Sequence, residues 1–131
     1  MHPSPSTQPS KRILVIDDDT PVRTAIRVVL EREGYLVDEA CNGLEAIERV
    51  NSQIPHLILC DIFMPDQDGF DTIRELRRKF PRIPVVAISG GGSVGGTDAL
   101  RMARHLGAAD VLHKPLHHAG LLGVIQRFVH E

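Results

Sequence analysis

Aromatic residues are rare: 4% of 131 positions, with no tryptophan, one tyrosine and four phenylalanines. A core here has to be built from aliphatic side chains. Basic charge is not in surplus, since 15 Lys and Arg against 17 Asp and Glu leave a formal charge of −2. That disfavours a surface holding a nucleic-acid backbone by charge. Cysteine is scarce too. Cys41 and Cys60 form no C-x-x-C pair, which argues against a zinc site or a redox dithiol and suits a reducing compartment. Both read as small buried hydrophobes. No apolar run approaches the ~18–20 residues that cross a bilayer, and the first residues lack a charged-then-apolar signal pattern. A cytoplasmic protein without membrane contact is expected. At 14.5 kDa the chain has the size of one domain, and no room is expected for a second, output domain.

What is present is an alternation. Residues 1–10, MHPSPSTQPS, are rich in proline and serine and are expected to be a disordered lead-in. From residue 11 to residue 131, short apolar runs alternate with segments of helical spacing, the signature of β/α units on a parallel sheet. The strands are ILVI (13–16), a polar edge strand over 35–39, 56–60 around LIL, VVAI (85–88) and 109–113. Thr20 as N-cap with Pro21 behind it opens the first helix and Gly34 closes it, with Val22, Ile26, Val29 and Leu30 on one face. Asn42 caps a second helix with Leu44, Ile47 and Val50 inward. A third runs from Gly69 to Phe80 with Phe70, Ile73, Leu76 and Phe80 at core spacing. Leu100, Ala103 and Leu106 mark a fourth, and 121–129 closes the chain as an amphipathic helix.

In an open parallel sheet, function gathers outside the carboxyl ends of the strands. There the first strand delivers Asp17, Asp18 and Asp19, the third Asp61, the fourth Ser89, and the fifth His113 and Lys114. An Asp cluster alone suits a helix start, but Asp61 adds a carboxylate from a distant segment. Crowded carboxylates raise one another's pKa unless a cation sits among them. Lys114, one of only three lysines, is set in VLHKPL, so its stem can be buried with its amine in the crevice. Hard oxygen ligands with open positions suit Mg²⁺ and a phosphate oxygen. Phosphoryl transfer is the chemistry implied.

V-I-D-D-D, L-C-D-I-F-M-P-D-Q-D-G, A-I-S-G and H-K-P-L, in that order, resemble the response-regulator receiver domain of two-component signalling, over residues 11–131. The resemblance implies a flavodoxin-like (βα)5 doubly wound sheet of strand order 2-1-3-4-5. It implies a stand-alone regulator, not an enzyme in the ordinary sense, with intrinsic self-phosphorylation and self-dephosphorylation. Asp61 would be the phosphoacceptor, supplied by a sensor histidine kinase or a histidine phosphotransfer protein. Mg²⁺ (or Mn²⁺) would be held by Asp17, Asp18, Asp61 and the Phe63 backbone carbonyl. Lys114 and Ser89 would contact the phosphoryl oxygens, and Pro115 would follow a cis bond. Output would pass to a downstream protein target through the face of the fourth helix, fifth strand and fifth helix, from a monomer or weak homodimer.

Several residues depart from that pattern. Val111 stands three before Lys114, where the family usually has an aromatic switch residue. Phe63 is bulky two positions past Asp61 and is expected to limit water and slow dephosphorylation. Gly90–Gly96 holds five of the eleven glycines and is expected to be mobile without phosphate. It also contains a G-x-G-x-x-G, here a decoy, because such a loop belongs on the first strand of a nucleotide-binding half. His113 reads as a strand-end histidine, and His117 and His118 as exposed residues, because adjacent helix positions point apart. Two rival readings are a receiver-like binding module never phosphorylated, and a phosphohydrolase resembling the haloacid dehalogenases. The second leaves Asp61 without a role.

Overall fold

A computed structural model describes residues 10–64, 67–90 and 96–129. The chain runs β1 (Arg12–Ile16), α1 (Thr20–Arg32), β2 (Leu36–Ala40), α2 (Gly43–Ser52), β3 (Leu57–Asp61), β4 (Phe63–Met64), β5 (Gln67–Asp68), α3 (Gly69–Lys79), β6 (Val85–Ser89), α4 (Gly96–His105), β7 (Asp110–His113) and α5 (His118–Phe128). Five strands form a parallel sheet in the order β2-β1-β3-β6-β7. Taken in chain order these are the expected 2-1-3-4-5. The two-residue strands β4 and β5 pair antiparallel beyond the end of β3.

Alternation along β1 explains the layers. Ile13 and Val15 point to one face, with Ile26 and Leu30 of α1 and Leu121 and Ile125 of α5. Leu14 and Ile16 point to the other, with Ala46 and Val50 of α2, Ile73 and Leu76 of α3, and Ala103 of α4. β3 and β6 are buried along their whole length, as a central parallel strand covered on both sides must be. Each fully buried Leu or Ile contributes ~1.5–3 kcal/mol, so aliphatic burial carries a fold with few aromatics.

The local punctuation differs from the sequence reading in four places. The N-cap of α1 is Asp19, not Thr20: its side chain accepts from the Val22 N–H at 3.3 Å and Thr20 is already helical. The closing glycine is as expected, since Gly34 adopts φ +94°, a conformation that favours glycine after a helix. Asn42 does cap α2, accepting from the Glu45 N–H at 2.8 Å, but Leu44 is 73% exposed. Gly43, Ala46 and Val50 face inward instead. Cys60 is buried as expected, whereas Cys41 is exposed, because it sits in the turn past β2. Finally, of the two histidines expected to open the last helix, only His118 is helical, and His117 is the N-cap of α5. Residues 1–9 of the expected lead-in lie outside the described residues, as do 91–95 of the glycine-rich segment. Among the described residues no helix is long and apolar enough to cross a membrane.

Candidate functional site

The crevice is built by the ends of four adjacent strands. Asp17 follows β1 directly: its N–H donates to Ala40 O at 3.1 Å, locking it to the end of β2. Its Oδ1 accepts from the Asp19 N–H at 2.9 Å. Its Oδ2 is buried with no hydrogen-bond partner and faces the Lys114 Nζ at 3.5 Å. Asp61 ends β3, 2% exposed, with its Oδ2 3.2 Å from the same Nζ. Lys114 is held in place by its main chain, whose N–H donates to Ser89 O at 2.9 Å, and its bond to Pro115 is cis, as expected.

The electrostatics follow from this packing. Burial, and then the neighbouring Asp61 charge, hold the Asp17 carboxyl above its ordinary value, against the Asp19 N–H and Lys114, which lower it. Burial alone would lower the Lys114 amine. The Asp61 and Asp17 carboxylates outweigh it and push the value up, so the amine is a firm cation. One cation against two buried carboxylates is an incomplete balance.

Asp18 is exposed but lies on the same edge. One carboxylate oxygen from each of Asp17, Asp18 and Asp61 lies within 4.8 Å of the others, the one such cluster among the described residues. The uncompensated charge and the orphaned Asp17 oxygen fit a small hard divalent cation, which takes one or two carboxylates and fills its shell with water or phosphate oxygens. Phe63 lies in β4, paired with Asp68, and its side chain is outside the described residues. Ser89 is buried at the end of β6, and its hydroxyl donates to Gly90 O at 3.3 Å. His113 is opposite Ser89 in register and exposed. Val111 is half-buried against the core. His117 caps α5 without a side-chain bond.

Arg23 went unnoticed in the sequence. From the first turns of α1 its guanidinium donates to the Asp17 carbonyl and to Glu39 Oε1, the latter at 2.8 Å. Arg27 also pairs with Glu39. Burial opposes ionisation of Glu39, but Arg23 and Arg27 win and hold its carboxyl below the ordinary range. An arginine one turn past the acidic run was the available signal. Its fork fixes the main chain that carries Asp17 and Asp18.

A buried carboxylate beside an ammonium, with a hydroxyl on the next strand and further carboxylates at hand, can act as a nucleophile whose product charge is offset in place. Fold and site together define an α/β protein of the doubly wound class working at the carboxyl edge of its sheet. The family profile described as "Response regulator receiver domain" matches residues 13–126. Relatives include the transcriptional regulatory protein ZraR of Klebsiella oxytoca, 41% identical over 104 residues, 79% of this chain and 23% of that protein. The response regulator MprA of Mycobacterium ulcerans is 38% identical over 110 residues, 81% of this chain and 44% of that one. Among solved structures, the receiver domain of NtrX from Brucella abortus superposes with a TM-score of 0.82 at 31% identity, covering 88% of this chain and 95% of that one. A CheY-like receiver from Methanospirillum hungatei gives 0.81 at 28% identity, covering 91% and 93%. The chain belongs to the response regulator receiver domain family of two-component systems. It spans less than half the length of the curated relatives named here.

Proposed function

We propose that Asp61 is the phosphoacceptor of this receiver. An Asp61 oxygen attacks the phosphorus of a phosphohistidine on a histidine kinase or phosphotransfer protein. The P–N bond breaks, the imidazole departs with the bonding pair, and an acyl phosphate remains on Asp61. The placement of Lys114 Nζ at 3.2 Å from Asp61 and 3.5 Å from Asp17 carries this reading. Asp61, which a dehalogenase-like scheme leaves idle, is the carboxylate nearest the amine.

Asp17, Asp18, Asp61 and the Phe63 carbonyl would hold Mg²⁺ or Mn²⁺, which when bound offsets negative charge on the phosphoryl oxygens. Lys114 contributes a fixed positive charge to the same oxygens. Ser89 turns its hydroxyl from Gly90 O toward them. Phosphorylation replaces one carboxylate charge by a group of roughly −2, and the pull on Ser89 and Lys114 shifts an existing equilibrium at the face made by α4, β7 and α5. That face would engage a downstream protein in the cytoplasm. Slow self-dephosphorylation belongs to the same proposal.

Incubation with Mg²⁺ and acetyl phosphate, followed by intact mass measurement, tests it. A single phosphoryl gain lost in Asp61→Asn and in Mg²⁺-free buffer supports it. A gain that survives Asp61→Asn defeats it, and no gain in the wild type favours a binding module instead. The stand-alone arrangement is part of the proposal, and a cellular protein much heavier than 14.5 kDa would contradict it.

A further inference from the structure

The described residues that expose large aliphatic side chains most fully are Leu44 and Ile54, at 73% and 72%. Both belong to the seam between α2 and α3, and neither serves the carboxylate crevice. Two open cavities of about 400 and 380 Å³ follow that seam in succession. Leu44 and Ile47 line the first, and Ile54 and Phe80 the second. Leu44 and Ile47 stand on α2, whose rise from Leu44 to Ser52 is about 12 Å, some two turns, and Ile54 extends the row beyond the extended C-cap Gln53. Turning Leu44 and Ile54 to water gives no benefit to this chain alone, and a row of aliphatics at such spacing is the complement of an amphipathic helix.

The charge along the seam narrows the occupant. α3 and the turn after it carry Arg74, Arg77, Arg78, Lys79 and Arg82 against only Asp71 and Glu75. Arg74 pairs with Asp71, and Glu75 is shared by Arg78 and Lys79. Arg77 is turned to the carbonyls of Pro81 and Ile83. With Glu45 and Glu48 against Arg49 on α2, the seam carries six basic groups to four acidic. The first cavity is balanced, Asp71 and Glu75 against Arg74 and Lys79, and the positive excess sits at the second, where Arg82 is the one charged residue in the lining. A second copy related by a two-fold axis would set this basic rim against itself. A nucleic acid would find a floor of aliphatics with Phe80 as its one aromatic, short of the successive aromatic platforms on which bases stack.

We propose that the α2–α3 seam is a docking groove for an acidic amphipathic helix of a partner protein, with its apolar stripe on Leu44, Ile47 and Ile54 and its acidic residues over Lys79 and Arg82. The groove is separate from the α4, β7 and α5 face. Its upper end adjoins the phosphoacceptor through α3, whose first residue, Gly69, donates its N–H to Ile62 O at 3.2 Å.

The test uses the whole chain and a synthetic 15-residue helix with Leu at i, i+3 and i+7 and Glu on its flanks. Amide NMR shifts report position and fluorescence anisotropy reports affinity. The expected result is shifts confined to 43–54 and 71–83 and a Kd below 1 mM. Affinity should fall at least tenfold in Leu44→Ser/Ile54→Ser and at least fivefold in Lys79→Glu/Arg82→Glu. These positions are exposed, so folding is retained, and unchanged circular dichroism checks it. Absence of shifts at 1 mM probe overturns the proposal, as does equal binding by the variants or by a Lys-flanked probe. Self-association abolished by Leu44→Ser would assign the groove to a second copy and overturn it as well. Asp61→Asn binds the probe as wild type does, so failure of the groove and failure of the phosphoryl reading are separable.

Discussion

Replacing Gly69 by alanine sets two effects against each other. Intrinsic helix propensity favours alanine by up to ~1 kcal/mol, and on that ground the variant should be stabilised. The surroundings say otherwise. A Cβ at Gly69 would stand 2.3 Å from Ile62 Cα, 2.5 Å from Asp61 O and 2.6 Å from Ile62 O. All three are main-chain atoms that no rotamer change can move. Relief requires α3 to retreat from the β3 end by about 1 Å, and such overpacking costs ~1–3 kcal/mol or more. With contacts as short as 2.3 Å the cost sits at the top of that range, and the balance is a net loss of about 2 kcal/mol, which lowers Tm by about 8 °C for a domain of this size. Thermal unfolding followed by circular dichroism measures it. Since the displaced main chain carries Asp61, phosphoryl gain from acetyl phosphate at 25 °C should also slow while the variant remains folded. A Tm equal to or above that of the wild type would refute the steric account and leave helix propensity as the governing effect.

Other perturbations follow from the same geometry. Glu39 has its carboxyl lowered by Arg23 and Arg27, so the stability it adds is present above its ordinary value and fades as pH falls through the lowered one. Glu39→Gln should be less stable by about 1 kcal/mol at pH 7, with the gap closing below pH 4; a gap independent of pH in denaturant titrations would count against it. Arg23→Gln frees the Asp17 carbonyl and should weaken Mg²⁺ binding about tenfold by isothermal titration calorimetry, with Arg23→Lys between the two; unchanged affinity in both would remove Arg23 from any positioning role. A thiol reagent should modify one cysteine per folded chain, the exposed Cys41. The Cys60 thiol is buried and pushed up by burial and the Asp61 and Asp17 charges, so it should react only in denaturant, and two fast thiols in the native protein would contradict the packing of β3.

The sheet was legible because each strand is an apolar run bounded by turn residues, and the crevice because Asp17, Asp61, Ser89 and Lys114 close such runs. What one sequence hid is orientation. The spacing of Leu44, Ile47 and Val50 spreads them over about 120° of α2, wide enough that the edge residue Leu44 can turn to water while Val50 stays buried. Ala46, too small to stand out in an apolar pattern, took the inward place. Asp19 and Thr20 can both cap, and only the main-chain angles decide between them. Arg23 gave no sign of its partner because it lies on α1 and Glu39 on β2, 16 residues on. The β4–β5 pair is too short for any periodicity to register.

Lys114 follows Asp61 by 53 residues, and the two meet only when β7 has joined β6 at the sheet's far edge. At about 5–20 residues per second, a ribosome needs about 3–10 s to travel from one to the other. During that interval the early strands carry acidic groups whose balancing amine has not yet been made. On the proposed reading, competence at Asp61 would therefore wait until Lys114 has been made and β7 has paired with β6, and a chain stopped short of β7 would lack it.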